Sequence, residues 1–424
     1  MRQLAIAVSL SFGALAAGAA LAAAPPLVAP ESAGFVAARL QRLDAAMQGL
    51  VDRGERAGIV TVVARGGHIV QLGEYGLAEL AGRKPMRADT LVRIYSMTEP
   101  VTAVAVLTLY EEGRLQLSDP IGEYLPEFAA VQVLERQRNG RYRRVAAASP
   151  ITIRELLAQT SGLTYVYPAA ARVKHAPASV RESLEELVRR IAKLPLAHEP
   201  GAGFTDGPSA DVLARLIEVI AQQPFDQFLA QRIFQPLNMQ DTGFRVPADK
   251  RDRFAEVYTT GPSGGLAAAT RGVPRAGPYE GAGRLLSGTD GLVSTALDYW
   301  TFAQMLANGG ELDGVRILSP ATVELMLRDQ LPAPSDTPSF STPAGAASFP
   351  GHGFGLGLAL LTHPEAYGVA GPAGLARWGG LAGTEFFFDP DKQIVAVLMT
   401  QQLPRSPDRL AREFQALVYQ AVVD

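Results

Sequence analysis

Apolar residues recur at helical spacing from Val36 to Val51, with charges between them, and predict an amphipathic helix. The pattern then changes. Gly58 to Arg65 is a β-branched run, broken by Gly66-Gly67 and resumed by Ile69-Val70-Gln71-Leu72. Two such runs around a Gly-Gly pair predict a hairpin. A second hairpin is predicted where Glu385-Phe386-Phe387-Phe388 and Ile394 to Met399 flank Asp389-Pro390-Asp391-Lys392, and a closing helix follows over about Pro407 to Val422. Between these ends the period is helical, over Ile151–Ala158, Val180–Lys193, Ala210–Ala221 and Phe225–Phe234. Segments Val257–Arg284 and Leu331–Pro350 are rich in turn-forming residues and read as loops. The expectation is an α+β fold: an antiparallel sheet flanked by helices, built from residues 25–130 and 285–424, with a mostly helical domain inserted over 131–284.

The first 24 residues stand apart. Arg2 opens a short basic start, Leu4 to Ala20 is apolar and small, and Ala20-Leu21-Ala22 and Ala22-Ala23-Ala24 both offer small-x-small cleavage sites. This reads as a secretory signal peptide, and the mature protein is expected to be exported, periplasmic or secreted. No later stretch is long and apolar enough to span a bilayer. Hydrophobic residues make up 47% and charged residues 19%, the balance of an ordinary globular chain. The net charge of −3 is dispersed, so nucleic acid is not an expected partner. Cysteine is absent, which excludes disulfides, thiolate metal sites and a thiol nucleophile. No cofactor is implied, and the partner expected is a small acyl compound.

The chemically informative stretch is Ser96-Met97-Thr98-Glu99-Pro100, followed by an apolar run to Leu107. A helix apolar on nearly every face is buried, and Pro100 is tolerated in its first turn. Two readings of Ser96 are open. A serine at the positive end of a buried helix is well placed to attack a carbonyl, because backbone N–H groups there stabilise an oxyanion. Ser-x-x-Glu before an apolar run is also a capping box, with Glu99 accepting from the Ser96 N–H, and taken alone the four residues fit capping better than catalysis.

The context of that serine resembles the serine β-lactamase-like enzymes, meaning class C β-lactamases and family VIII carboxylesterases of the penicillin-binding-protein type. Carrying the resemblance are Tyr95 to Ala129, Leu156 to Leu163 (Leu-Leu-Ala-Gln-Thr-Ser-Gly-Leu), Gly291 to Thr295 with Asp298-Tyr299, Gly309 to Gly314, Gly353 to Gly357, and Trp378 to Thr384. The motifs run in order from about residue 30 to the end. Membership implies a sheet-plus-helical architecture with the site between the two parts. It implies Ser96 as nucleophile, Trp378-Gly379-Gly380 as a substrate-binding strand, and the N–H groups of Ser96 and Leu381 as the oxyanion hole. Tyr165 and Tyr167 are further substrate-binding candidates.

Two positions depart from the family. Its serine motif is S-x-x-K, and here the lysine position is Glu99. The motif-two tyrosine falls, in register within Pro200-Gly201-Ala202-Gly203-Phe204-Thr205-Asp206, on Asp206. The lysine–tyrosine relay therefore cannot operate. Two carboxylates close together share charge poorly, so one pKa rises; from a reference value of about 4, carboxylate-assisted attack by Ser96 is expected to favour acid. The expected function is a serine hydrolase of esters or related acyl compounds using Ser96, Glu99 and Asp206. The alternative is a pseudoenzyme that keeps the cleft for binding or regulation. Metal binding by Glu99 and Asp206 is a third, weaker reading, because no further ligands are evident. Arg377, beside Trp378, is a candidate partner for a carboxylate substrate or for Glu99.

Overall fold

Gly58–Arg65 forms strand β1, and the chain turns at Gly66-Gly67 into β2, His68–Glu79. Both glycines are left-handed, with φ of 57° and 79°, as the tight turn matching strand twist requires. On its other edge β1 pairs with Ile394–Thr400, Val62 lying opposite Val397. The sheet then continues outward through Glu385–Asp389, Ala376–Gly379, Ala359–Leu361 and His352–Phe354, while Lys84–Pro85 flanks β2. All eight strands are antiparallel. This computed structural model describes residues 26–174, 178–179, 181–261, 264–269, 279, 284–332, 339–341, 348–403 and 409–423. The expected signal peptide lies outside the described residues, as do parts of the two turn-rich segments.

Alternation along the strands sorts the core into two layers. Ile59, Val63, Phe387, Ala396 and Leu398 face helix α1, Ala37–Asp52, and the terminal helix Arg409–Ala421, through Leu43, Met47, Phe414 and Val418. Val60, Val62, Phe386, Phe388, Val395 and Val397 face the larger core on the opposite side. At the centre of that core runs α2, Thr98–Glu111, buried from Thr98 to Leu109. Gly357, at φ 87°, approaches α2 so closely that a Cβ would collide with Ala103.

The middle of the chain supplies α3 (Ile153–Leu157), α4 (Leu184–Ile191), α5 (Ser209–Ala221) and α6 (Phe225–Leu229). Capping boxes at Thr152/Glu155 and Ser183/Glu186 begin the first two. The predicted helix 225–234 changes to a wider π turn at Ala230. An unpredicted hairpin also appears here, Gln132–Arg136 paired with Tyr142–Ala146. Its strands are mostly exposed, so they carry no apolar period, although Asn139-Gly140 is a strong hairpin turn signal.

Candidate active site

Val92–Arg93 pairs with Val293–Ser294 and delivers the chain to the start of α2. There Tyr95 adopts φ 45°, a left-handed conformation uncommon for a large residue. Its ring packs with Val257, Ala382 and Leu403 and against Leu381. The next residue, Ser96, keeps partial solvent access while its neighbours Tyr95 and Met97 are buried. Two anchors fix the turn from below: the Tyr299 hydroxyl donates to the Met97 carbonyl at 2.8 Å, and the Leu292 N–H donates to the Thr98 hydroxyl at 3.2 Å.

The strand Ala376–Gly379 ends against this turn. A Cβ on Gly380 would strike the Ile94 carbonyl oxygen and the Thr384 hydroxyl, so only glycine lets the 378–381 segment close on the serine. Neither the Ser96 nor the Leu381 N–H donates to a backbone carbonyl among the described residues. Both donors required of an oxyanion hole are thus uncommitted on adjoining segments.

The capping box does not form. No side chain caps α2, and Glu99 turns inward instead. It is 3% exposed; Oε2 accepts from Gln159 Nε2 at 3.0 Å, and Oε1 has no hydrogen-bond partner among the described residues. Gln159, itself left-handed at φ 56°, also accepts the Thr205 N–H on its carbonyl at 2.7 Å. One residue thereby ties the Asp206 segment to Glu99. Gly207 completes the fit, since a Cβ there would collide with the Leu163 carbonyl. His198 braces the same segment, Nε2 to the Thr205 hydroxyl at 2.6 Å and Nδ1 to the Glu199 carbonyl at 2.8 Å.

Burial pushes the Glu99 carboxyl well above its usual pKa, and the charge of Asp206 pushes it further; the Gln159 bond opposes both, and Asp211 and Asp290 add smaller upward pushes. The strongest charges acting on Glu99 are all negative. Asp206 keeps some solvent access, yet burial raises its carboxyl to about 6. Two such groups hold one proton between them near neutrality. Glu99 keeps it, and Asp206 is the member that ionises. Asp211 is better provided for, accepting from the Ser287 hydroxyl at 2.6 Å and the Thr289 N–H at 3.3 Å.

Trp378 faces this site, packing edge-on against Phe354 at 5.2 Å, which in turn tilts against Phe204 at 5.1 Å. Its neighbour Arg377 does not. The period of two sends that guanidinium through the sheet's other face, where it pairs with Glu385 at 2.8 Å and contacts Tyr367 and Gln415. Arg377 is therefore a core ion-pair residue, and the pairing with Glu99 or a substrate is withdrawn. Tyr167 donates its hydroxyl to the Pro195 carbonyl at 2.8 Å, and burial raises its pKa to about 12. Tyr165 stands beside Val166 at the surface. Among the described residues no three His, Asp or Glu side chains are grouped to hold a metal ion, and no helix is long and apolar enough to cross a membrane. The sequence reading missed Gln159 as the clip between the two acids, although it sits inside the Leu156–Leu163 motif.

With this geometry in view, the relatives are informative. A sequence model described as Beta-lactamase matches residues 43–420. Protein Rv1367c of Mycobacterium tuberculosis strain H37Rv is 35% identical over 365 residues, covering 85% of this chain and 89% of that protein. Esterase EstB of Burkholderia gladioli is 31% identical over 385 residues, with the same coverage of 85% and 89%. Among solved structures, EstCE1, described as a hydrolase with promiscuous acyltransferase activity, superposes with a TM-score of 0.75 at 27% identity, covering 91% of this chain and 98% of that one. The chain belongs to the β-lactamase family of serine hydrolases and has esterase and acyltransferase homologues.

Proposed function

We propose that this protein is an exported serine hydrolase of esters or related acyl compounds, in which the Glu99–Asp206 pair replaces the family's lysine and tyrosine. Ser96 Oγ attacks the acyl carbonyl while the Asp206 carboxylate takes its proton. The N–H groups of Ser96 and Leu381 hold the oxyanion. The departing alkoxide recovers that proton, and water then cleaves the acyl-serine with the same base. The observation that carries this reading is the orientation of Glu99, which is turned onto Gln159 and toward Asp206, leaving the Ser96 N–H uncapped. A base with a pKa of about 6 lies in the range where histidine works. The expected acid optimum is accordingly revised: activity should climb as pH rises through about 6 and Asp206 ionises. Export rests on the composition of residues 1–24 alone.

The test is covalent labelling by an uncharged fluorophosphonate, together with turnover of short-chain p-nitrophenyl esters. Both should vanish in Ser96→Ala. A wild-type protein that forms no acyl- or phosphonyl-serine would defeat the proposal. One observation supports the second reading, a silent binding protein: no hydrogen bond joins the Ser96 hydroxyl to either acid among the described residues. On that reading Glu99→Lys combined with Asp206→Tyr would create activity, whereas it should damage a working carboxylate pair.

A further inference from the structure

We propose that the hairpin of Gln132–Arg136 and Tyr142–Ala146, together with the exposed pair Tyr165-Val166 beside it, docks the protein on a bilayer surface containing anionic phospholipid. The inference concerns a different part of the molecule from the two acids and needs no turnover. Its first support is charge. Arg136, Arg138, Arg141, Arg143 and Arg144 are all exposed, against a single hairpin acid, Glu135, in a chain whose net charge is −3. Glu135 is taken up by Arg143, and Arg144 donates to the Lys193 carbonyl at 3.3 Å. Arg136, Arg138 and Arg141 pair with no acid among the described residues. The basic surface continues through exposed Lys193, and through Arg172 and Lys174, which follow the turn Ala169–Ala171 packed on Tyr142–Ala146. The nearby Glu199 accepts the Ala148 N–H at 2.9 Å.

Charges on an outer strand also deter pairing with other chains. That accounts for Arg143 and Arg144, but Arg138 and Arg141 lie in the turn beyond the last paired residues, Arg136 and Tyr142. The second support is apolar surface in the same place. Tyr165 is 36% and Val166 50% exposed, side by side. Their loop is held firmly: the Thr164 hydroxyl accepts the Val166 N–H at 3.1 Å, and the Tyr167 hydroxyl donates to the Pro195 carbonyl at 2.8 Å. Pro195 is two residues from the Lys193 carbonyl that Arg144 contacts, and the Arg144 charge acts on the Tyr167 hydroxyl. The apolar pair and the arginines are thus neighbours on one surface. Such a face fits a membrane interface, where headgroups meet the cations and the acyl boundary takes the apolar side chains. A soluble polyanion gives the apolar pair nothing to enter. The same loop borders the candidate site, since a Cβ on Gly207, next to Asp206, would lie 3.1 Å from the Thr164 Cα. Docking therefore sets the cleft beside the bilayer.

The protein from Pro25 onward, which includes every described residue, is sedimented with vesicles of phosphatidylcholine alone and with about 30% phosphatidylglycerol added, and is titrated separately with dextran sulfate. The anionic vesicles should bind it at least about tenfold more tightly than the neutral ones, and the difference should collapse between about 0.1 M and about 1 M salt. Combining Arg136→Gln, Arg138→Gln and Arg141→Gln should weaken binding to the anionic vesicles about a hundredfold, with the melting temperature unchanged. Val166→Ser should weaken it about threefold and leave dextran sulfate binding as it was. Equal binding to both kinds of vesicle, or binding untouched by the arginine variant, overturns the proposal. So does dextran sulfate bound as tightly as the anionic vesicles with Val166→Ser without effect on either, which makes the hairpin a site for a soluble polyanion.

Discussion

Two buried charged clusters sit on opposite faces of the same sheet. Arg377 and Glu385, each about 2% exposed, meet at 2.8 Å, with Tyr367 and Gln415 satisfying the guanidinium further. On the other side Glu99 and Asp206 share one proton, with Gln159 as amide donor to Glu99 Oε2 and no partner for Oε1 among the described residues. The first cluster is balanced, since the Glu385 charge holds Arg377 ionised against burial, and its contact with Gln415 binds the terminal helix to the sheet. The second is a pair of acids, so burial raises both carboxyls, Asp206 to about 6. Balance marks architecture; imbalance at a cleft marks chemistry.

Breaking each cluster should therefore read out differently. The largest effect is expected in Asp206→Asn, which removes the base: ester turnover should fall by about 10²–10⁴-fold, while the melting temperature at neutral pH holds or rises because a buried like charge has gone. Arg377→Met should do the opposite, lowering stability by about 3–5 kcal/mol by stranding Glu385; denaturant melts would record this, and the pH profile of the remaining folded enzyme should not move. Next comes pH itself. Asp206 has a folded pKa raised from 3.8 to about 6, so the native state holds the proton more firmly than the unfolded chain. Stability should fall as pH rises between those two values, by on the order of 2–3 kcal/mol. Asp298, raised to about 6 by burial, contributes in the same direction, so only part of the slope should disappear in Asp206→Asn. A slope unchanged in that variant would contradict the assignment. The smallest effect belongs to Gln159→Leu. Losing one side-chain hydrogen bond should cost about 1 kcal/mol and, because that bond lowers the pKa of Glu99 and not that of the ionising Asp206, should leave the rise of activity near pH 6 in place.

The regular parts of the fold were legible because their residues repeat a physical period. Gly66-Gly67 between two β-branched runs admits little but a hairpin, and Phe386-Phe387-Phe388 can be read as a strand buried on both faces. The hairpin at 132–146 escaped because its strands expose Glu135, Arg136, Arg143 and Arg144, leaving Asn139-Gly140 as its main local mark. Ser96, Glu99 and Asp206 were proposed from a resemblance that sets them where the family's serine, lysine and tyrosine are expected, and the fold ties the segments of the two acids together through Gln159. Arg377 misled for a geometric reason. Adjacent residues on a strand face opposite ways, and which parity meets the site depends on how the sheet packs. Gln159 was hidden differently: its importance lies in joining one partner through its backbone carbonyl and another through its amide, and no local pattern announces a residue that serves two distant segments.

The left-handed winding at Tyr95 has a consequence for the history of such a protein. An unfavourable backbone conformation of about 1–3 kcal/mol is held there by the packing of its own ring against Ala382 and Leu403, with no help from the acids. The hydroxyl that follows is presented to the cleft whatever stands at positions 99 and 206. Reactive partners can then be exchanged over generations without dismantling the stage on which they act.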